Sequence, residues 1–449
     1  MKKIVKYVLV FLGLLLVFCS LLFVGSLFPS NVIEQHSRES AKTLIHQGNL
    51  YKFFPWFDVV NNNYTDALMI NEAYSVDSEA PLYSAMAVRR DYKAGVTKFS
   101  RTDMTGESLS MGNYEFYDAV GELFDFMNGN VDTSVAYARY WHGYLPFLRV
   151  GLIFFNITGI RLVLLVIFIV LFVWLLKLIK DKLSFADAII FALSFVFYSY
   201  FLVSYSLESA PIFLVMMISS IVLLKRIDRI KNLYLFVFIV ACIANFVDYL
   251  TVPLITLAIP LILYILYKQK CDSDMDCIDF IKIVVKASVI WFVGYGLTWV
   301  SKWIIYDVLY GEGIIKSAVT QVVYRAGATD SPQKKSIFEV IGGFILQILL
   351  YCAVVGGSIG IFLFLNRKKY VVTVCEKKVY FEKTLPILLV LLMPIAWYVV
   401  LSNHTIVHTR FTFRHMLIFS ICFMIACKNI FVVNRKRFKE LKEGTSDVL

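Results

Sequence analysis

The stretch IRLVLLVIFIVLFVWLLKLIKDK, residues 160–182, decides the fold of this chain. Its apolar part, 160–178, is long enough to cross the hydrocarbon core of a bilayer as a helix. It ends in the basic block KLIKDK. Similar blocks bound other apolar runs, namely KKIVK at 2–6, KRIDRIK at 225–231, NRKK at 366–369 and NRKRFK at 434–439. Apolar runs bounded by Lys and Arg predict membrane-spanning helices whose basic ends lie in the cytoplasm.

The composition also indicates a membrane protein. Hydrophobic residues make up 59% of the 449 and charged residues 17%, and the mean hydropathy is +0.70. A soluble domain of this length could not keep so apolar a surface hydrated. The net charge of +11 comes from basic residues at the ends of spans, where helix orientation and anionic lipid headgroups account for it. We therefore expect membrane lipids, and no nucleic acid, as partners.

The pattern predicts an all-α polytopic membrane protein with about ten transmembrane helices. They lie near residues 4–28, 160–178, 185–203, 209–225, 233–248, 251–267, 283–303, 337–365, 384–402 and 414–433. An even number of spans places both termini in the cytoplasm. The predicted regions are then a first helix (1–28), an extracytoplasmic loop with interfacial helices (29–159), transmembrane helices (160–303), a second extracytoplasmic loop (304–336), transmembrane helices with an external loop at 403–415 (337–434), and a cytoplasmic tail (435–449).

The first loop holds 15 of the 33 carboxylates. It has too few branched aliphatic residues for a core of its own, so we expect it to lie over the membrane helices. Its last part, GYLPFLRVGLIFFN at 143–156, is apolar but interrupted by Pro146 and Arg149. Such a segment suits an interfacial amphipathic helix better than a span.

Carboxylates follow soon after the first span. Asp58, Asp66 and Glu72 lie in WFDVVNNNYTDALMINE, residues 56–72. A poorly hydrated carboxylate at the membrane surface can take a proton from an acceptor hydroxyl. Asp66 is the first choice for this base because it precedes the apolar ALMI, where a short helix would place it near a helix N-terminus. The alternative is a loop that is acidic only because it is hydrated.

The segment YARYWHGYLPFLR, residues 137–149, combines Arg139, His142 and Arg149 with aromatic residues. Arginine with aromatic faces could bind a lipid phosphate and a sugar. The alternative is an ordinary aromatic belt at the membrane interface. Asp248, at the outer end of a span, is a further candidate for binding substrate, unless it only solvates a helix end.

The segment NHTIVHTRFTFRH, residues 403–415, lies outside and is basic, against the charge rule. In a helix, His404 and His408 share a face, as do Arg410 and Arg414. These residues suggest an anionic ligand. The two histidines could instead hold a divalent metal, but no His-Glu-x-x-His pattern accompanies them. We therefore predict no metal and no other cofactor.

The chain resembles the GT-C superfamily of membrane glycosyltransferases, especially its Gram-positive members. The resemblance rests on NNNYTDALMIN (61–71), RYWHGYLPFLR (139–149), DYLTVPLITLAIP (248–260), GYGLTWVSKW (294–303) and NHTIVHTRFTFR (403–414). It implies transfer of a sugar from a polyprenyl-phosphate donor to a cell-surface glycan or lipid acceptor in the cell envelope.

For the residues, the resemblance implies a catalytic carboxylate near the start of the first loop, with Asp66 first and Asp58 second. His408, Arg410 and Arg414 become candidates for the phosphate side. The expected reaction is an inverting transfer at the outer face of the cell membrane. Two alternatives stay open, a flippase or transporter of lipid-linked sugars and a polysaccharide polymerase or ligase.

Overall fold

A computed structural model of the chain describes residues 2–52, 60–93, 118–272, 275–327 and 336–435. Most of these residues are helical. In chain order the helices are α1 (Lys2–Ser26), α2 (Glu34–Gln47), α3 (Asn63–Tyr74), α4 (Pro81–Ala87), α5 (Ala119–Met127), α6 (Leu145–Phe154), α7 (Ile157–Lys182), α8 (Phe185–Phe197), α9 (Ala210–Arg226), α10 (Leu233–Val247), α11 (Ile255–Cys271), α12 (Cys277–Tyr310), α13 (Ile314–Arg325), α14 (Ile337–Leu365), α15 (Lys377–Leu391), α16 (Met393–Val400), α17 (Ser402–Val407), α18 (Thr409–Thr412) and α19 (Met416–Ile430). Short 3-10 helices lie at Ser30–Ile33, Tyr200–Tyr205 and Phe413–His415.

The strands are short and pair two by two. Each pair is antiparallel: β1 (Leu50–Lys52) with β2 (Val60–Asn62), β3 (Arg89–Tyr92) with β4 (Thr133–Ala136), and β5 (Tyr370–Val374) with β6 (Phe431–Arg435). These ladders only join loop segments. The described part of the chain is thus mainly helical, as predicted.

Five described helical stretches are long and apolar enough to cross a membrane. They are Ile4–Ser26, Ile157–Lys182, Ile337–Leu365, Lys377–Val400 and Thr409–Ile430. The other five predicted spans fall on α8 to α12, and four of these helices are shorter, with 13 residues in α8, 17 in α9, 15 in α10 and 17 in α11. The structure therefore supports a membrane protein, with five rather than ten of the predicted spans meeting both criteria.

Polar residues set where several long helices begin. The side chains of Asn156, Ser184 and Asn232 accept backbone hydrogen bonds at the starts of α7, α8 and α10. Ser336 and Glu339 form a capping box at the start of α14. Because the first N–H groups of a helix have no intrahelical acceptor, such a cap stabilises a helix by about 0.5–2 kcal/mol.

Contacts between loops distinguish two ends of the helix bundle. At the first, which we name the basic end, Lys182 Nζ lies 3.0 Å from Asp228 Oδ2 and Lys428 Nζ lies 2.6 Å from Asp187 Oδ1. At the opposite end, which we name the loop end, the first loop, α13 and α17 meet the ends of the long helices. The candidate site residues that can be placed lie at the loop end.

The first loop packs into a hydrophobic cluster that it shares with the helix bundle. Completely buried residues from five segments of the loop meet there: Ile33, Leu44, Ile70, Leu123 and Leu152. Burying each side chain contributes about 1.5–3 kcal/mol. The predicted interfacial segment supplies Leu152 as part of α6, and Ile157 and Ile160 of α7 and Leu207 before α9 complete the cluster. This cluster fixes α3, which carries two of the candidate carboxylates.

Candidate active site at the loop end

Asp66 lies in the first turn of α3, the position that the sequence predicts. Its side chain is completely buried. Arg161 Nη2 donates to Asp66 Oδ2 at 2.8 Å, and the backbone N–H of Leu207 donates to Oδ1 at 2.9 Å. Both carboxylate oxygens therefore already have donors.

Arg161, near the start of α7, is a site residue that the sequence analysis missed. Its guanidinium is 4% exposed and also donates to Asn63 Oδ1 at 2.8 Å and to Gln47 Oε1 at 3.3 Å. The available signal was a charged residue inside an apolar span, since such residues are costly and need partners. Arg161 joins α7 to α2 and α3.

Glu208, in the turn before α9, is a second buried carboxylate beside Asp66. Asn62 Nδ2 donates to Glu208 Oε2 at 2.8 Å. Burial raises the pKa of Glu208 to about 7, and the nearby Asp66 charge adds to the increase, while Asn62 and Arg414 oppose it. Burial also raises the pKa of Asp66, against the effect of Arg161. We name Asp66, Arg161, Glu208 and their asparagine partners the Asp66 cluster.

Glu72 lies further along α3 and is 1% exposed. Tyr249 donates to Glu72 Oε2 at 2.7 Å, and Tyr144 donates to the same oxygen. His142 Nδ1 is 3.3 Å from it. Glu72 Oε1 is buried and has no hydrogen-bond partner in the structure. We name these four residues the Glu72 cluster.

The unpartnered oxygen of Glu72 is unusual because buried polar atoms are normally hydrogen-bonded. Leaving one without a partner costs about 1–3 kcal/mol. A ligand hydroxyl that donates to Oε1 would remove this cost. The sequence analysis made Glu72 a candidate for substrate binding. Its unpartnered oxygen makes it a candidate for the base as well.

Backbone strain is concentrated around the Glu72 cluster. His142 has φ 55°, Leu250 has φ 66° and Val88 has φ 48°, in the left-handed region that non-glycine residues rarely adopt. His404 Nε2 lies 2.9 Å from the carbonyl oxygen of Leu250. The carbonyl of Val88 accepts from the N–H of Tyr137 at 3.0 Å. Such conformations cost about 1–3 kcal/mol each and cluster at functional sites.

The predicted histidine pair comes together, although α17 ends at Val407 and the chain bends at His408. The rings of His404 and His408 have centroids 4.8 Å apart. Burial lowers the pKa of both, to about 3 for His408, and the Arg325 charge adds to the decrease. Both rings are therefore neutral at neutral pH and add no positive charge at the loop end.

The two predicted arginines of this segment lie on separate short elements. Arg410 is part of α18, and Arg414 lies in the following 3-10 helix, where it is 6% exposed. Arg414 interacts electrostatically with Glu208, and its Nε has no hydrogen-bond partner. This brings the basic segment next to the Asp66 cluster.

Arg149 and Asp248 both hydrogen-bond to backbone groups. Arg149 is 1% exposed and donates to the backbone carbonyl of Phe28 at 2.5 Å and to that of Ala73. Asp248 accepts from the N–H of Thr251 at 3.0 Å, which closes the turn between α10 and α11. Arg149 thus joins loop segments, and Asp248 holds the backbone beside Tyr249.

Arg139 lies at the edge of the same region, where its carbonyl accepts from Trp299 Nε1 at 2.8 Å and from Trp303 Nε1 at 2.9 Å. Asp58 lies outside the described residues. Within the described residues, no group of three or more His, Cys, Asp or Glu side chains could hold a metal ion.

No family model matches the chain, and comparisons with curated proteins and with solved structures found no match. What the chain does must therefore be inferred from the residues at its loop end.

Proposed function

We propose that this chain is a multi-pass membrane glycosyltransferase that moves a sugar from a polyprenyl-phosphate donor to a cell-surface acceptor. The observation that carries the proposal is that one end of the bundle contains both a buried carboxylate with an unpartnered oxygen, Glu72, and buried cationic groups such as Arg414. Glycosyl transfer from a lipid phosphate needs both a base for the acceptor and positive charge for the leaving group.

The proposed orientation follows from charge. Lys182, Lys270 and Lys428 lie at the basic end, and basic residues favour the cytoplasmic side of a membrane. The loop end then faces outward. A polyprenyl-phosphate donor presented in the outer leaflet would meet the Glu72 cluster and the Asp66 cluster there.

In the proposed reaction, Glu72 takes the proton of the acceptor hydroxyl through Oε1. The acceptor oxygen forms a bond to the anomeric carbon of the sugar as the bond from that carbon to the phosphate oxygen breaks. The polyprenyl phosphate leaves with the electron pair, and the sugar inverts its configuration. Tyr144 and Tyr249 keep the carboxylate in place through Oε2.

Asp66, the first choice from the sequence, competes with Glu72 for the role of base. Its two oxygens already accept from Arg161 and from the Leu207 amide, and the Arg161 charge makes the carboxylate less basic. Glu72 Oε1 has no donor among the described residues. We therefore place Glu72 first, Asp66 second, and His408, Arg410 and Arg414 on the phosphate side.

The test is a transfer assay with the purified chain in nanodiscs, a panel of radiolabelled polyprenyl-phosphate sugars and cell-envelope acceptors. We expect at least one donor to lose its sugar to an acceptor, and Glu72→Gln to lower the rate by roughly 10²-fold or more. Glu34→Gln, which changes an exposed glutamate paired only with Arg38, is the matched control. Labelled lipid that crosses the bilayer with its sugar still attached would indicate a transporter instead.

The orientation has its own test. A cysteine in place of exposed Lys316 in α13 should react with a membrane-impermeant thiol reagent in intact cells. A cysteine in place of Lys282, which is 69% exposed near the start of α12, should react only after permeabilisation. The reverse pattern would place the loop end in the cytoplasm and remove the proposed site from the outer face.

A further inference from the structure

A cleft at the loop end lies between α12, α13 and the end of the first loop. Its walls include two arginines, three aromatic residues and one amide: Arg139, Arg325, Tyr140, Trp299, Trp303 and Gln321. Arg325, the two tryptophans and Gln321 have no role in the reaction proposed above. Two arginines in one cleft indicate a site for an anion.

Within the described residues, no carboxylate forms an ion pair with the guanidinium of Arg139 or with that of Arg325. Arg139 Nε and Arg325 Nη1 are buried without hydrogen-bond partners, and the best side-chain acceptor of Arg139 is Ser317 Oγ at 3.5 Å. Buried N–H donors of a charged group that lack acceptors are costly.

The guanidinium groups are instead held against aromatic faces. The guanidinium carbon of Arg139 lies 5.1 Å from the ring centroid of Tyr137, and that of Arg325 lies 5.7 Å from the centroid of Tyr140. The two tyrosine rings are 5.7 Å apart. Cation–π contacts fix the position of an arginine but leave its N–H groups available to an anion.

The histidines next to the cleft do not change its charge at neutral pH. The Arg325 charge contributes to the lowered pKa of His404 and His408, which are neutral at neutral pH. The potential in the cleft therefore stays positive. A tetrahedral oxyanion could accept from both arginines at once, because guanidinium groups match phosphate geometry.

We propose that this cleft binds the phosphate of a polyprenyl phosphate, with Arg139 and Arg325 as its ligands. The inference rests on the function proposed above, but it assigns the donor phosphate to Arg139 and Arg325 in place of His408, Arg410 and Arg414. A lipid-linked phosphate is favoured over free phosphate because α13 and the end of α12 expose apolar side chains beside the cleft. Val308, Val319 and Val323 are 79%, 49% and 44% exposed, and they offer a surface for the polyprenyl chain.

The experiment is a binding titration with the chain in phosphatidylcholine nanodiscs. Binding is measured by tryptophan fluorescence, since Trp299 and Trp303 line the cleft. Three probes are compared: polyprenyl phosphate, the uncharged polyprenol and inorganic phosphate. We expect polyprenyl phosphate to bind at least about 10-fold more tightly than either of the other two. Equal binding of polyprenol would show that the phosphate is not recognised, and equal binding of inorganic phosphate would show that the lipid is not.

Variants locate the site. Arg325→Ala should weaken polyprenyl phosphate binding by about 10-fold or more, and Arg325→Lys by less, because it keeps a charge but loses the planar fork. Gln321→Glu places a negative charge in the cleft with little change of shape, and it should weaken the binding of polyprenyl phosphate but not of polyprenol. Lys316→Ala, on the same helix but outside the cleft, is the control and should bind normally.

The outcomes separate this inference from the proposed function. Normal polyprenyl phosphate binding by Arg325→Ala and Gln321→Glu overturns the cleft assignment, even in a chain that transfers sugar. Weakened binding in these variants supports it, even in a chain that transfers none of the sugars offered. Loss of binding in Lys316→Ala as well would overturn it too, since any change to α13 would then suffice.

Discussion

Asp66 and Glu72 lie on the same helix, six residues apart, and both are buried, but their surroundings differ. Asp66 has a donor on each oxygen and a guanidinium 2.8 Å away. Glu72 has neutral tyrosines on one oxygen and nothing on the other. Burial does not distinguish them and the sequence favoured Asp66 as the base, whereas the distribution of donors assigns Asp66 to holding the structure and Glu72 to chemistry.

The role of each carboxylate depends on which elements supply its donors. Arg161 and Leu207 belong to the start of α7 and the turn before α9, so Asp66 ties the first loop to two helices. Tyr144, Tyr249 and His142 orient Glu72 without supplying a fixed positive charge. A base must gain and release a proton, and a buried ion pair resists that change.

The largest expected effect is on stability. Asp66→Asn should destabilise the chain by about 3–5 kcal/mol, because it leaves Arg161 buried without its counter-charge. Denaturant unfolding in mixed micelles would measure the free energy of unfolding. Asp228→Asn at the basic end is the matched control: it breaks an ion pair whose aspartate is 58% exposed, and it should leave stability unchanged.

One outcome would reverse the roles of Asp66 and Glu72. If Asp66→Asn unfolds like the unaltered chain but no longer transfers sugar, while Glu72→Gln keeps its activity, Asp66 is the base and the order from the sequence was right. Wild-type stability in Asp66→Asn would also show that Arg161 has enough other acceptors in Asn63 and Gln47.

The next effect is on activity. Glu72→Gln keeps the shape of the side chain and removes its capacity to accept a proton, so turnover should fall roughly 10²-fold or more. The free energy of unfolding should change little, because a neutral group replaces a buried charge. Single-turnover transfer and unfolding measured on the same preparation would check both expectations. Loss of stability without a change in turnover per folded molecule would assign Glu72 to the structure.

A smaller effect is expected from the tyrosine that orients the base. Tyr249→Phe removes one of the donors to Glu72 Oε2 and leaves Tyr144 and His142, so turnover should fall by about 10-fold. Tyr267→Phe is the control, since it removes a hydroxyl that donates to Asp228 at the basic end. Equal activity of both variants would show that Tyr144 and His142 suffice to hold Glu72.

The sequence predicted the positions of single elements better than the contacts between them. Asp66 was expected near the start of a short helix and is in the first turn of α3, and the segment around Arg149 forms the helix expected at 143–156. Both features follow from local signals. Arg161 and Tyr249, in contrast, meet α3 from positions 95 and 177 residues away in the chain, and no local pattern encodes such pairings.

The same limit applies to other contacts. The hydrophobic cluster of the first loop includes residues of α6 and α7, so the aliphatic residues of the loop alone did not reveal it. Arg325 meets Tyr140 and the histidine pair only after α13 folds back on the bundle. The positions of the basic residues could be read from the sequence. Which side chains become neighbours at one end of the bundle depends on how the helices pack, and that could not.

The last and smallest effect concerns pH and the charge of the Asp66 cluster. The pKa of Glu208 is raised to about 7, so between the ordinary glutamate pKa and pH 7 the folded chain holds a proton that the unfolded chain has lost. Folding is then favoured at low pH, and this contribution disappears as the pH rises through 7. The free energy of unfolding should fall by about 1 kcal/mol between pH 6 and pH 7.

Glu208→Gln cannot ionise and should not show this decrease, whereas the exposed Glu34→Gln should show it in full. Parallel curves for Glu208→Gln and the unaltered chain would mean that Glu208 is already ionised when folded. Arg414 would then compensate Glu208 as Arg161 compensates Asp66, and the Asp66 cluster would contain two ion pairs beside a Glu72 cluster that has no fixed cation.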